Sequence, residues 1–489
     1  MLSPVRDVPW PQLSEFIAER MGLHFPPERW DDLRRGLAAA APELGFDDAA
    51  ACAESLLSGP PGEERMRILA SHLTVGETYF FRDPAMFRAL ADHVLPDLIR
   101  ARRGAGQRLR FWSAACCSGE EPYSLAILLH QLLPDLRDWR VTILATDING
   151  RFLRRAATGV YGAWSFRDAP PGLQQRHFER TADGRFAVTG EIKGLVTFAH
   201  LNLADHAYPS LATGTNAMDL ILCRNVLMYF TPLQVRRVVG NLHNALVEGG
   251  WLAVSPSEAS PALFPQFAVV NHPGVILYRK SGAQREHQAR AFAAPSSWTP
   301  PGPAPTPPEP VSARPSARLQ RPEVQARAMA ESLYAQGRYA EAANLLAAPP
   351  RDHAPEPAAC SLLARARANH GDFTGALAGC DRWIGADKLD PAAHYLRAAV
   401  LLEQGESSQA RASLRRAVYL DPGHVLAHFA LGNLARSGGK PDEAGRHFAN
   451  ALDVLRRHRP DEVLPDADGL TAGRLAEAII AIGEGAPAP

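Results

Sequence analysis

The sequence lacks several features that mark other classes of protein. Its six cysteines form no C-x-x-C pair and no metal-ligand spacing, so we expect reduced thiols, a cytoplasmic protein and no metal site. No apolar run reaches the roughly 18 residues of a membrane span, so membrane insertion is not expected. Basic and acidic residues number 52 each, which gives no net field to attract nucleic acid or an anionic bilayer. Nucleic acid is therefore not an expected partner.

The 489 residues are sufficient for about three globular domains. Residues 1–100 carry apolar side chains at helical spacing, as in Leu13, Phe16 and Ile17, and predict a small helical domain. Residues 101–282 alternate strand and helix patterns, which predicts an α/β fold with a mostly parallel sheet closed by an antiparallel hairpin. The predicted strands are 108–115, 140–146, 195–202, 217–223, 250–255, 266–271 and 274–280.

Two segments depart from this alternation. Within residues 156–194 the turn around Asp183-Gly184 is flanked by short β-type runs and predicts a small antiparallel subdomain at the edge of the sheet. Residues 283–322 contain the run W-T-P-P-G-P-A-P-T-P-P-E-P, and prolines at this density favour extended, solvated chain. We therefore predict a semi-stiff linker at 283–322.

The last third of the chain repeats itself every 34 residues, which resembles the tetratricopeptide repeat. A fixed phase over four copies argues against an ordinary Ala-rich bundle. We predict an all-α superhelix of four repeats at 323–457, whose groove binds a protein or peptide, and a tail at 458–489 with a capping helix at 470–482. The recurring small residues are Ala330, Ala364, Ala398 and Gly432; Gly337, Gly371, Gly405 and Gly439; Ala342, Ala376, Ala410 and Ala444.

Residues 111–124, F-W-S-A-A-C-C-S-G-E-E-P-Y-S, are typical of a strand, a tight turn and a helix start. Such a turn after the first strand of an α/β sheet lets a ligand approach the backbone. The stretch lacks G-x-G-x-x-G, and Glu120 with Glu121 would repel a pyrophosphate, so a cationic or neutral adenosine compound such as S-adenosylmethionine fits better than NAD. On this stretch alone, an ordinary buried crossover turn remains an alternative.

Polar residues also follow the later strands, at the edge where open α/β sheets bind ligands. Asp147 ends the second strand, where a carboxylate accepts ribose hydroxyls, although an Asp there is also typical of a helix cap. Asn202 ends the third strand and can meet an adenine edge. The run 222–230 ends the fourth strand, where substrate and donor would meet, and Arg82 comes from the helical domain beside three aromatic residues.

These motifs together resemble the CheR family of chemotaxis-type protein-glutamate O-methyltransferases. The resemblance covers about residues 10–280, and CheR enzymes fused to tetratricopeptide repeats form a familiar subgroup. It implies a class I, Rossmann-like methyltransferase domain with S-adenosylmethionine as cofactor and S-adenosylhomocysteine as product. The motifs are E-T-Y-F-F-R at 77–82, S-A-A at 113–115, G-E-E-P-Y-S at 119–124, T-D-I at 146–148, N-L at 202–203, C-R-N at 223–225 and Y-F at 229–230.

The resemblance also implies roles for particular residues. Arg82 and Tyr229 would lie nearest the transferred methyl group, and Glu120 would meet the positively charged methionine amine. The family often has Asn where this chain has Gly76, and small polar residues in place of Cys117-Ser118. The implied cofactor-binding residues are Thr78, Arg82, Ala114, Glu120, Asp147, Asn202, Leu203, Arg224 and Asn225.

The expected activity is esterification of glutamate side chains on the cytoplasmic domain of a methyl-accepting chemoreceptor. The hairpin near 180–196 looks shorter than in members that bind a receptor tail, so the repeats are an alternative docking element. Two other hypotheses stay open at this point: the same fold acting on another acceptor, and a cofactor-binding scaffold that works through its repeats. Arg82 in a surface ion pair with Asp83, and Tyr229 as a core residue, are the corresponding structural alternatives.

Overall fold

The structure, a computed structural model, describes residues 8–59, 62–104, 106–205, 208–281, 322–347, 356–467 and 469–484. The predicted linker lies outside these ranges except for its last residue, and Pro349-Pro350, expected to shorten a repeat helix, lies outside them too.

The N-terminal part is helical, as predicted, and has its own apolar core that includes Leu13, Leu33 and Leu56. Helix α1 ends at Met21 and is followed by the cap residue Gly22, whose φ of +80° suits glycine. A Cβ there would lie 2.6 Å from the Phe230 ring, so glycine lets this domain close on the sheet. The helices are α1 (Trp10–Met21), α2 (Trp30–Ala40), α3 (Ala49–Leu57), α4 (Glu63–Leu73), α5 (Pro84–Ala89) and α6 (Leu95–Arg102), the last two joined by a π-helical turn (Leu90–Val94).

Ten strands and five α-helices follow in the described residues between 106 and 281. The strands are β1 (Arg108–Ala114), β2 (Arg140–Asp147), β3 (Val160–Tyr161), β4 (Phe178–Arg180), β5 (Phe186–Val188), β6 (Val196–His200), β7 (Met218–Cys223), β8 (Leu246–Ala253), β9 (Phe267–His272) and β10 (Val275–Lys280). The helices are α7 (Glu120–Leu132), α8 (Gly150–Thr158), α9 (Leu173–His177), α10 (Gly190–Lys193) and α11 (Pro232–Ala245).

Seven of these strands form one twisted sheet in the order β6-β2-β1-β7-β8-β10-β9. The first five are parallel and β10 pairs antiparallel with both β8 and β9, which confirms the predicted plan. The order reverses between β1 and β7, and ligands bind at such a switch point at the carboxyl ends of the strands. Strands β3, β5 and β4 form a separate three-stranded antiparallel sheet within 156–194.

One strand begins earlier than predicted. The sequence predicts a strand at 250–255, but β8 begins at Leu246 and includes both Gly249 and Gly250. Gly249 has a φ of +79°, and the register with β7 shifts between Met218 and Leu220. The glycine pair therefore marks an irregularity inside the strand, which is another common use of glycine in sheets.

In the described part of the chain the repeats form four helical hairpins. Residues that recur every 34 positions have the same structural role in successive hairpins. Each glycine of the second register has a positive φ, between +68° and +93°, in the turn between the two helices of a hairpin. Ala330, Ala364 and Ala398 are fully buried where helices cross. The helices are α12 (Pro322–Ala335), α13 (Tyr339–Leu346), α14 (Pro357–His370), α15 (Phe373–Ala386), α16 (Pro391–Glu403), α17 (Ser407–Leu420), α18 (Val425–Ser437) and α19 (Pro441–Leu455).

The repeats pack directly on the methyltransferase sheet. Glu403, at the end of α16, pairs with Arg108 at 2.9 Å and with Arg110, and both arginines belong to β1. The Arg108 guanidinium lies 3.8 Å from the centre of the Phe373 ring on α15. Burial lowers the pKa of Arg110 to about 9, so this buried cation depends on its carboxylate partner.

The predicted C-terminal helix is present as α20 (Ala472–Glu484). It packs on α19, as expected of a cap, and it also contacts β6, which was not predicted. Of the helices that the structure describes, none combines the length and apolar content needed to cross a bilayer.

Candidate active site

A cavity of about 1030 Å³, its open mouth included, lies at the carboxyl ends of the parallel strands. Its walls come from the turns after β1, β2, β6 and β7, and its other side comes from the helical domain. The helical domain contributes Met21, Leu23, His24, Phe25, Arg29 and the segment Leu73–Arg82 around the mouth.

The turn after β1 has an unusual backbone. Ala115, Cys117 and Gly119 all have positive φ, at +66°, +51° and +92°. The Cys117 N–H donates to the Asp147 carboxylate at 2.8 Å, which ties this turn to the end of β2. A non-glycine residue in this conformation is strained and persists where the surroundings hold it, as they often do at ligand sites.

Asp147 lies on the cavity wall and is buried. Its two carboxylate oxygens accept the N–H groups of Cys117 and Asn149, each at 2.8 Å. Burial raises the pKa of Asp147 to about 6 despite these hydrogen bonds. A carboxylate oxygen can accept more than one hydrogen bond, so Asp147 keeps capacity for hydroxyl groups in the cavity.

The two glutamates that begin α7 face different directions. Glu120 is buried away from the cavity, where it accepts hydrogen bonds from Ser118 at 2.8 Å and Ser165 at 3.0 Å. Glu121 lines the cavity instead. Likewise Ala114 does not line the cavity, whereas Ala115 does. The structure therefore places Glu121, and not the predicted Glu120, on the cavity wall, because successive residues of a helix start point about 100° apart.

Arg224 connects three parts of the site. Its guanidinium donates to Glu121 at 3.0 Å and to the backbone carbonyl of Arg82 at 3.0 Å, and it lies 3.5 Å from Asp83. Its buried Nε meets no acceptor among the described residues.

Arg82 lies at the mouth of the cavity and is partly exposed. It donates to the Glu77 carbonyl at 2.6 Å and lies over the Tyr79 ring at 5.7 Å. Within the described ranges it forms no ion pair, because Asp83 pairs with Arg224 instead. The surface ion pair that we considered as an alternative is therefore absent here.

The loop after β6 holds Asn202 and Leu203 on the cavity wall. The Asn202 amide donates to the Arg20 carbonyl at 3.0 Å and to Asp205 at 3.1 Å, and its oxygen accepts the Ala204 N–H at 3.0 Å. The side chain thus organises this loop and joins it to α1.

The loop after β7 carries Asn225 and Tyr229, which both line the cavity. Asn225 has a φ of +57°, and the Tyr229 carbonyl accepts the His24 N–H at 2.7 Å. The Arg29 guanidinium lies 5.4 Å from the Tyr229 ring centre. Tyr229 is therefore partly buried between the helical domain and the sheet, with its ring on the cavity wall.

Glu258 organises this loop and was not predicted. Its buried carboxylate accepts the N–H groups of Asn225, Val226 and Leu227, each at 2.8 Å, and that of Ser255 at 3.1 Å. Glu258 could have been predicted from its position shortly after β8, because Asp147 was predicted as a site residue from its position at the end of a parallel strand.

The structure explains why this chain has Gly76 where the CheR-type pattern described above often has Asn. A Cβ at Gly76 would lie 2.5 Å from the Phe152 ring, which lines the cavity. Glycine therefore makes room for this ring. Thr78, two residues later, also lies on the cavity wall.

The cavity lies within the segment that matches a known family model. Residues 76–275 match the model described as CheR methyltransferase, SAM binding domain. Chemotaxis protein methyltransferase 2 of Vibrio cholerae is 34% identical over 229 residues, which are 47% of this chain and 76% of that protein. The chain belongs to the CheR methyltransferase family. Chemotaxis protein methyltransferase 1 of Pseudomonas aeruginosa is 40% identical over 212 residues, or 42% of this chain and 74% of that protein.

Another relative covers the repeats as well. The probable biofilm formation methyltransferase WspC of Pseudomonas aeruginosa is 30% identical over 405 residues, 80% of this chain and 85% of that protein. Residues 327–394 and 395–461 each match a tetratricopeptide repeat model. The chain thus combines a CheR domain of chemosensory signalling with a protein-binding repeat module.

The cofactor of the CheR domain is S-adenosylmethionine. The cavity of this chain fits such a molecule, because Asp147 and Glu121 suit hydroxyl groups and a positive charge and would repel a pyrophosphate.

Proposed function

We propose that this CheR-family protein methylates glutamate side chains on the cytoplasmic domain of a methyl-accepting chemoreceptor, and that its repeats bind a protein partner for that purpose. The observation that carries the proposal is Arg82. It is a partly exposed arginine at the mouth of the cavity, with no carboxylate partner among the described residues. A guanidinium in this position suits the carboxylate of an incoming glutamate.

The chemistry needs positioning more than proton transfer. S-adenosylmethionine supplies a methyl group bound to a positively charged sulfur. A glutamate side chain is ionised at neutral pH, so one of its oxygens forms the bond to the methyl carbon as the carbon–sulfur bond breaks, and no general base is required. Holding both reactants in line is then the main contribution of the protein.

The residues divide this work between them. Asp147 would accept the ribose hydroxyls, and Leu203 would face the adenine from the loop that Asn202 organises. Glu121 with Arg224 would face the amino-acid end of the cofactor. Arg82 and Tyr229, at the mouth, would orient the acceptor carboxylate.

A labelling experiment tests this function. The full chain is incubated with radiolabelled S-adenosylmethionine and membranes that contain the chemoreceptors of its own organism. We expect base-labile label on a receptor-sized band, because a carboxyl methyl ester is hydrolysed by base. Retained S-adenosylhomocysteine binding without such label would contradict the proposed acceptor and favour another acceptor or a scaffold role.

A substitution on the surface of the repeats tests whether they bind the receptor. Tyr419, on α17, is 76% exposed and presents an aromatic ring on the surface of the repeats that a protein partner can contact. We expect Tyr419→Ala to reduce receptor labelling while leaving S-adenosylhomocysteine affinity unchanged. Equal labelling by both proteins would remove Tyr419 from the docking surface.

A further inference from the structure

The C-terminal helix reaches the loop that lines the cofactor cavity. Arg474, on α20, contacts Asp205 through two nitrogens, with Nε 2.7 Å from Oδ2 and Nη2 2.9 Å from Oδ1. The same Oδ1 accepts the Asn202 amide at 3.1 Å. An unbroken series of hydrogen bonds thus runs from α20 to the wall of the cavity.

Asp205 depends on this arginine. The carboxylate is largely buried, and burial raises the pKa of Asp205 to about 6 even though Arg474 opposes that effect. Without the guanidinium, a carboxylate in this position would take up a proton or turn toward solvent, because an unpaired buried charge is costly. Either change would weaken the hydrogen bond that the Asn202 amide donates to Asp205.

The repeats hold α20 in position. Leu475 and Ile479 are almost fully buried in the core that contains the last two repeats. On the other face, Arg474 also pairs with Glu477 at 2.8 Å, and Glu477 lies 3.9 Å from His200 on β6. The helix is therefore fixed to the repeat module on one side and to the edge of the sheet on the other.

We propose that Arg474 is a positioning residue of the cofactor site, which acts through Asp205 on the Asn202–Leu203 loop. The inference rests on the proposed function only in taking the cavity as the S-adenosylmethionine site. It makes the tail after the last repeat a part of the methyltransferase, in addition to a cap for the repeats.

Calorimetric titration of the full chain with S-adenosylhomocysteine tests the proposal. We expect Arg474→Gln to weaken binding about tenfold, the effect of one charge-assisted hydrogen bond, and Arg474→Lys to recover part of the loss. The KM for S-adenosylmethionine should rise while the KM for the receptor stays the same. Arg457→Gln is the matched control, because Arg457, just after α19, is 75% exposed and pairs with the exposed Asp453 of that helix.

A double variant separates positioning from a general loss of structure. If Arg474 acts through Asp205, Arg474→Gln combined with Asp205→Asn should weaken binding no more than the stronger single variant. Additive losses, or unchanged affinity in a folded Arg474→Gln protein, would overturn the proposal. If the unsubstituted chain binds S-adenosylhomocysteine but does not methylate the receptor, the proposed function is contradicted and the inference about Arg474 still stands.

Discussion

The Glu258 carboxylate accepts the backbone N–H of Asn225 at 2.8 Å, and the two residues lie at the ends of neighbouring parallel strands. The same carboxylate also accepts the N–H groups of Val226 and Leu227. One side chain therefore sets the path of the loop that presents Asn225 and Tyr229 to the cavity. Its negative charge is balanced by backbone donors.

Replacing Glu258 with glutamine should disorder this loop. The amide nitrogen of glutamine is a donor, so it would face backbone N–H groups that need an acceptor, at a cost of about 1–3 kcal/mol. We expect Glu258→Gln to reduce methyl transfer and to lower the thermal unfolding temperature. Glu15→Gln, at an exposed position of α1, should change neither quantity. Normal turnover by Glu258→Gln would show that the loop holds its path without this carboxylate.

Arg82→Lys keeps the charge at the mouth of the cavity but loses the planar guanidinium. We expect methyl transfer to fall about a hundredfold, because a small misplacement of a reacting group costs that much, while the unfolding temperature stays the same. Radiolabelled transfer to receptor measures the effect. Arg88→Lys, exposed on α5, is the control. If both variants transfer methyl groups at the normal rate, Arg82 has no orienting role.

The affinity for S-adenosylhomocysteine should depend on pH in the weakly acidic range. Because burial raises the pKa of Asp147 to about 6, its carboxylate is ionised above that pH and protonated below it. We expect full affinity at pH 7.5 and a decrease of roughly tenfold per pH unit below about 6. Titrations between pH 7.5 and 5 measure this change.

Two variants assign the pH dependence. Asp147→Asn should bind more weakly at pH 7.5 and show a flatter profile. Burial also raises the pKa of Asp205 to about 6, so Asp205→Asn measures how much this second carboxylate contributes to the pH dependence of affinity. An unchanged profile in Asp147→Asn would remove Asp147 from contact with the cofactor. The free energy of unfolding should depend on pH in the opposite direction to the affinity. Because the pKa of the carboxyl group is higher in the folded protein than in the unfolded chain, this group lowers the stability as pH rises from about 4 to 6.

Glu403→Ala should weaken the packing of the repeats on the sheet. The Glu403 side chain is only 10% exposed, and its removal leaves Arg108 and Arg110 buried without this partner, which costs about 3–5 kcal/mol. We expect the repeats to unfold in a separate, earlier transition, measured by chemical denaturation. Glu406→Ala is the matched control, since Glu406 is 41% exposed and its pair with Arg140 is worth at most about 1 kcal/mol. Equal effects of the two variants would contradict the importance of the buried pair.

The sheet and the repeats could be predicted because both follow regular patterns. The strands were found from apolar runs between helical segments, and the repeats from small residues at a fixed spacing. Buried Ala364 and the positive φ of Gly371 confirm the packing that this spacing implies. The start of β8 could not be found in this way, because Gly249-Gly250 is typical of a turn, whereas the pairing of β8 with β7 begins before these glycines, at Leu246, and resumes after them, at Trp251.

Which side chains reach the cavity was harder to predict than where the cavity lies. Glu120 and Glu121 are adjacent and chemically the same, and only the fold shows that Glu121 lines the cavity while Glu120 accepts hydrogen bonds from Ser118 and Ser165. Glu258 and Asn225 are far apart in the chain, so their contact depends on the order of the strands. The link from Arg474 to Asp205 joins the tail to the sheet, and local sequence carries no signal for a contact of that kind.

Repeats that look alike in sequence are not interchangeable in this fold. The glycine turns of the first three hairpins each approach a different group of the methyltransferase domain: Gly337 the Asn244 amide, Gly371 the Val247 side chain, and Gly405 the Arg140 guanidinium. Removing or inserting one whole repeat would place each turn opposite a side chain of the methyltransferase domain that it does not contact in this fold. Chimeras that exchange complete catalytic and repeat modules would meet the same mismatch, so their boundaries have to preserve the pairing of each turn with its own neighbour.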